Sequence, residues 1–254
     1  MPAHVPDVSV AEKLVDRILP LGPGRLPAAM RQKCEDLAVD VIGLCLTARN
    51  QDYVKSALAG CDDEGPCTAI GHARMMSAAG AAFVNGTAAH GEDFDDTFEG
   101  GPVHAGAVIV PAVLAACERH NPDGRAALLG IAVGAETMCR LSLVAPMRTH
   151  KAGFHPTAIF GAMGAAAGVA AALGLNARQI VDALGIAGSM AGGIIEYLAE
   201  GAWTKRMHAG WRRSRESGRR CWRGKDLSAR VRCSRASMDC FTASRTPPRA
   251  TTTR

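Results

Sequence analysis

Residues 27–45 read PAAMRQKCEDLAVDVIGLC, and the spacing of their apolar side chains decides the fold class. Met30, Cys34, Leu37, Val41, Leu44 and Cys45 recur at intervals of three and four, which stacks them on one face of an α-helix. Pro27 stands at the entry, where a first helical turn tolerates its missing N–H. Toward the N-terminus, Pro20, Gly22, Pro23 and Gly24 break the chain, and before them Ser9 and Glu12 form a capping box that opens a helix toward Ile18. Downstream, helices are predicted over 53–58, 75–89, 108–119, 124–143, 156–173 and 177–197, the last with Asn176 as N-cap and Gln179 three residues on. No stretch sustains the period-two alternation of a strand. The expected fold is all-α.

Composition agrees. A chain of 254 residues with 48% hydrophobic content can bury the core of one large domain or two small ones, and 4% aromatics with abundant Ala and Gly suits closely packed helices. Each apolar run is interrupted by Gly, His or charge, so no bilayer span is expected; the N-terminus shows no secretory signal, and a cytoplasmic location follows as the expectation. Nine cysteines occur without a CxxC pair, which predicts small core residues and no metal site.

The net charge of +5 averages two unlike regions. Residues 212–254 hold twelve Arg and one Lys against Glu216, Asp226 and Asp239, a net of +10, which leaves the preceding body at −5. Such a tail can bind phosphate, but it lacks the aromatic interleaving or helical stripe of a nucleic-acid arm, and no nucleic-acid partner is expected.

Chemistry concentrates in three polar clusters. Residues 85–106, NGTAAHGEDFDDTFEGGPVHAG, crowd Glu92, Asp93, Asp95 and Asp96 beside two histidines, and like charges in a confined place are expected to push a carboxylate pKa up. Residues 149–157 form a loop with His150, Lys151 and His155, ending in Pro156-Thr157 at a helix start that suits a carboxylate ligand. Lys205, Arg206 and His208 cluster between Trp203 and Trp211. Together they supply proton donors, acceptors and cations for a polycarboxylate.

The runs VNGTAAHGEDFDDT, GFHPTAIFGAMGAAAGVAAALGL and ALGIAGSMAGGIIEYLAEGAWTKRMHAGW resemble, in order, three hallmark blocks of the MmgE/PrpD family, which includes 2-methylcitrate dehydratase and cis-aconitate decarboxylase. The resemblance covers about residues 8–211. It implies a large helical domain, a smaller α+β lid domain missing from this chain, a homodimer, and action on small di- and tricarboxylates without cofactor. The family's active-site positions fall on Asp93, Thr97, His104, His155 and Lys205, with His150, Lys151, Arg206 and His208 as substrate-binding candidates. Asp95 and Asp96 are expected to cap or brace the loop. Elimination of water is the favoured reaction, with Asp93 or a histidine as base, His155 and His104 as acid or carboxylate clamp, and Lys205 as cation. Decarboxylation and epimerisation draw on the same groups.

The resemblance stops at Trp211. The Arg-, Ser-, Cys- and Pro-rich run over 212–254 has no apolar periodicity, and compatible codons read two nucleotides later encode an alanine-rich helix, a Gly-Pro turn and a family-like apolar pattern. Residues 1–211 are therefore expected to be the helical domain and 212–254 an out-of-frame, disordered tail, with weak or absent turnover as the consequence.

Overall fold

The computed structural model describes residues 8–210, and the basic segment 212–254, with the frame change expected there, lies outside them. Eleven α-helices and one two-residue β-pair make up the described residues. Helix α1 (Val10–Ile18) opens on the Ser9/Glu12 capping box, with both reciprocal hydrogen bonds present. Helix α2 (Ala28–Ala48) buries Cys34, Val41 and Cys45 as the spacing predicts, but Met30 is exposed because the apolar face turns inward only from Cys34 onward. Helix α3 (Asp52–Ala59) follows. The helix expected from Met75 starts later: Met75–Met76 (β2) pairs antiparallel with Cys67–Thr68 (β1), and Ser77 then caps α4 (Ala78–His90) through Gly80 N. Two short strands are thus added to an otherwise helical body.

Helices α5 (Gly106–His120) and α6 (Gly124–Val144) precede a single helical turn, α7 (Arg148–Lys151), in what the sequence suggested was loop. The centre is α8 (Pro156–Ala172), buried along nearly its whole length between α5, α6 and α9 (Ala177–Ser189). Its partner α6 comes unusually close: a Cβ on Gly168 would sit 2.6 Å from the Gly130 carbonyl oxygen, so only a residue without one permits the approach. Helix α6, of 21 residues with an 18-residue window of mean hydropathy 1.5, is long and apolar enough to cross a membrane, contrary to expectation; 44% of that window is buried, with the Gly130 face given to α8.

A main hydrophobic cluster joins α2, α3, α4, α5 and α8, and a second one packs Val15 and Ile18 of α1 against Leu129, Val133, Ala167, Ile180 and Leu184. Helix α9 keeps the expected Asn176/Gln179 capping box but ends at Ser189 rather than Tyr197. The chain there passes through Gly193 at φ +123°, a conformation closed to side chains, and runs antiparallel to Phe154: His155 N donates to Gly193 O and Ile195 N to Gly153 O. Two short helices follow, α10 (Tyr197–Glu200) and α11 (Thr204–His208), and α11 folds back against α4.

Candidate functional site

The acidic loop after α4 is shaped by its own carboxylates. Asp96 accepts hydrogen bonds from Ala105 N at 3.0 Å and Gly106 N at 2.7 Å, capping α5, which has no side-chain cap of its own. Burial pushes the Asp96 carboxyl up, against those two hydrogen bonds. Asp95 turns inward and meets His90 Nδ1 at 2.6 Å, both side chains fully buried. Asp93 is exposed and stands at φ +57°, a left-handed conformation uncommon for non-glycine residues but more accessible to aspartate than to most.

Four elements meet over this loop. His155, at the N-cap of α8, stacks on His90 with ring centroids 5.5 Å apart, and His104 lies 5.0 Å from His90. The His104 backbone N–H donates to Thr157 Oγ1 in the first turn of α8. Helix α11 places His208 Nδ1 3.2 Å from His155 Nδ1, and Tyr197 of α10 packs edge-on to both rings. From the same helix the Lys205 ammonium donates a hydrogen bond to Asp93 Oδ1. The result is a cleft of about 360 Å³ lined by Asp93, His104, His150, His155, Tyr197 and Lys205, among others. That is the size of a small-molecule site. A second cleft of about 400 Å³, lined by Gly24, Leu26, Arg31 and Arg125 among others, has no histidine or carboxylate.

The charge states follow the sequence only in part: Asp96 is raised, by burial and then by the charge of Asp95 among other causes, but Asp93 is not. Burial alone would raise the Asp93 carboxyl, but its hydrogen bond to Lys205 and that cation's charge, with His90 and His104 adding, hold it below the ordinary carboxylate range. Asp95 and Asp96 turn to other partners, and the largest charge that reaches Asp93 is that of Lys205. His155 is driven down to about 2, first by burial and then by positive neighbours His90, His208, Lys205 and His104, so it is a neutral imidazole and no cationic clamp. Tyr197 rises to about 12 through burial and the charge of Asp93, and its phenol keeps its proton.

Of the candidates, Asp93, His104, His155, Lys205, His150 and Arg206 line the cleft, and His208 touches it through His155. Thr97 and Lys151 are exposed and do not line it: Asp96 is turned toward α5 just before Thr97, and Lys151 ends the α7 turn facing solvent. Arg206 is occupied elsewhere, with Nε donating to Gly91 O at 2.7 Å and its guanidinium 4.6 Å above the Tyr53 ring, whose hydroxyl donates to Glu92 Oε1. It latches α11 to the end of α4. Two participants were missed. His90 is wholly buried at the end of an alanine-rich helix, and Tyr197 stands where α9 was expected to continue. His90 preceding an acid-rich loop by a few residues was the available signal.

Among the described residues, only His90, Asp95 and His104 bring three ligand-type side-chain atoms within 4.8 Å of one another. His90 Nδ1 and Asp95 Oδ2 are joined in a short hydrogen bond of 2.6 Å. A neutral His155 among other histidines, a phenol and a carboxylate–ammonium pair around a small cleft define a helical domain equipped for proton transfer beside anionic groups.

The family model for the MmgE/PrpD N-terminal domain matches residues 12–215, and the chain belongs to that family. It is 30% identical over 215 residues to the cis-aconitate decarboxylase-like protein oryM of Aspergillus oryzae, covering 80% of this chain and 45% of that one. It is 38% identical over 139 residues to human cis-aconitate decarboxylase, 51% of this chain and 27% of the relative, and 26% identical over 196 residues to the Aspergillus terreus enzyme of that name, 73% and 40%. The chain spans less than half the length of these curated relatives.

Proposed function

We propose that this domain forms the proton-transfer wall of a lyase acting on a small di- or tricarboxylate, by decarboxylation of an unsaturated tricarboxylate such as cis-aconitate. The observation that carries it is the Asp93–Lys205 pair at the cleft with His104 and a neutral His155 beside it. Lys205 is the cation a substrate carboxylate would compete for, and a bound carboxylate displaces Asp93 from it. When the carbon–carbon bond to the departing carboxylate breaks, its electron pair passes into the unsaturated acid. That charge is stabilised by fixed hydrogen-bond donors and cations, and a proton then goes to carbon. Tyr197, which holds its proton, and a histidine are the donors in reach. The names of the relatives favour this over the dehydration expected from sequence.

Dehydration remains the second reading, favoured by the 3.2 Å contact between His155 and His208, which can carry one proton from ring to ring toward a leaving hydroxyl. The test uses the chain in excess over carboxyl-labelled cis-aconitate or 2-methylcitrate, with products followed by ¹³C NMR. Labelled carbon dioxide supports decarboxylation, loss of water from 2-methylcitrate supports the second reading, and unchanged substrates that also fail to bind overturn both.

A further inference from the structure

Asp95 lies between two imidazoles. Its Oδ2 is 2.6 Å from His90 Nδ1, and its Oδ1 is 3.5 Å from His104 Nδ1. The carboxylate is fully buried, and both Asp95 Oδ1 and His104 Nδ1 are shut off from solvent without a hydrogen-bond partner. Two such atoms left facing each other are costly, and a small swing of the ring removes the cost for both. Hydrogen bonds at catalytic centres are often this loose before a ligand closes the site.

The chemistry of the pair allows one arrangement. A carboxylate only accepts, so His104 satisfies Oδ1 only when its proton is on Nδ1. The other oxygen takes the His90 Nδ1–H, which anchors the carboxylate from the α4 side. His104 lines the cleft while its Nδ1 is buried, so the ring edge left to the cleft carries Nε2. Other groups near this ring are Asp93 and Asp96 of the same loop, His90 of α4, and His155 and Thr157 of α8; Thr157 binds the His104 backbone and not the ring.

We infer that Asp95, anchored by His90, is a positioning residue that fixes His104 as the Nδ1–H tautomer and so presents an unprotonated Nε2 to the cleft as a proton acceptor. Its catalytic meaning rests on the lyase reading, whereas the tautomer itself is a property of the ligand-free chain. The pattern is the orienting carboxylate behind a working histidine. Asp95 thus has a role beyond bracing the loop.

Long-range ¹H–¹⁵N correlation spectra of the full chain labelled with ¹⁵N-histidine test this, at about pH 8 where neutral imidazole dominates. The His104 signals are assigned by their loss in His104→Gln. The expected result is a protonated Nδ1 and a bare Nε2 on His104, with the ratio of the two tautomers falling by at least about tenfold in Asp95→Asn. A bare Nδ1 in the wild-type chain overturns the inference, as does an unchanged tautomer in a folded Asp95→Asn. Where that variant does not fold, the wild-type spectrum decides. A failed lyase assay leaves this measurement untouched, so the two claims fall separately.

Discussion

The Lys205 ammonium hydrogen-bonds the Asp93 carboxylate, joining two residues 112 positions apart in the chain. This contact ties α11 to the acidic loop at the edge of the cleft. Asp93 is depressed below its ordinary value, so the pair's stabilisation is present above the unfolded carboxyl's pKa and is lost as pH falls through the folded one. Lys205→Met should bring the Asp93 carboxyl up toward its ordinary value in a ¹³C titration. Because the Asp93 side chain is largely exposed, solvent screening keeps the expected loss of stability under about 1 kcal/mol, and that difference should fade in acid.

His155 gives a second pH dependence with a definite sign. Its folded pKa is pushed from 6.5 down to about 2, so between those values the unfolded chain binds a proton that the folded chain refuses. Stability should therefore fall as pH drops below about 6.5. Thermal melts across this range should show a shallower acid slope in His155→Asn than in wild type, whatever the offset between the two at neutral pH.

The seam between α6 and α8 leaves no room for a methyl group. Gly168→Ala would place Cβ 2.6 Å from the Gly130 carbonyl oxygen, forcing the central helix pair apart. The expected destabilisation is about 1–3 kcal/mol, read as a lower urea midpoint.

Arg206 distinguishes a latch from a ligand clamp. Arg206→Ala removes the hydrogen bond to Gly91 O and the cation–π contact with Tyr53, and should cost about 1–3 kcal/mol in denaturant unfolding. A variant with unchanged stability and lost carboxylate binding would make it the clamp instead.

The helical framework was legible because local chemistry agrees with it. The capping boxes at Ser9 and Asn176 start α1 and α9 where they were expected, and Cys34, Val41 and Cys45 face the core. What was hidden depended on distant partners. Met75 joins a strand because Cys67–Thr68 is there to pair with it, and α9 stops short because the chain at Gly193 pairs with the segment before α8. At the site, the residue types converging on the cleft could be read from their clusters, but their states could not. Asp93 is depressed and not raised because a lysine from α11 reaches it, and His90 joins the site only through the fold of the acidic loop onto α4.

The most direct measurement is isothermal titration of the chain with cis-aconitate near neutral pH, beside Lys205→Met and His104→Gln. The account predicts binding to the wild-type chain, weakened at least about tenfold by loss of the Lys205 charge. No binding of any di- or tricarboxylate, or equal affinity in wild type and both variants, would contradict it.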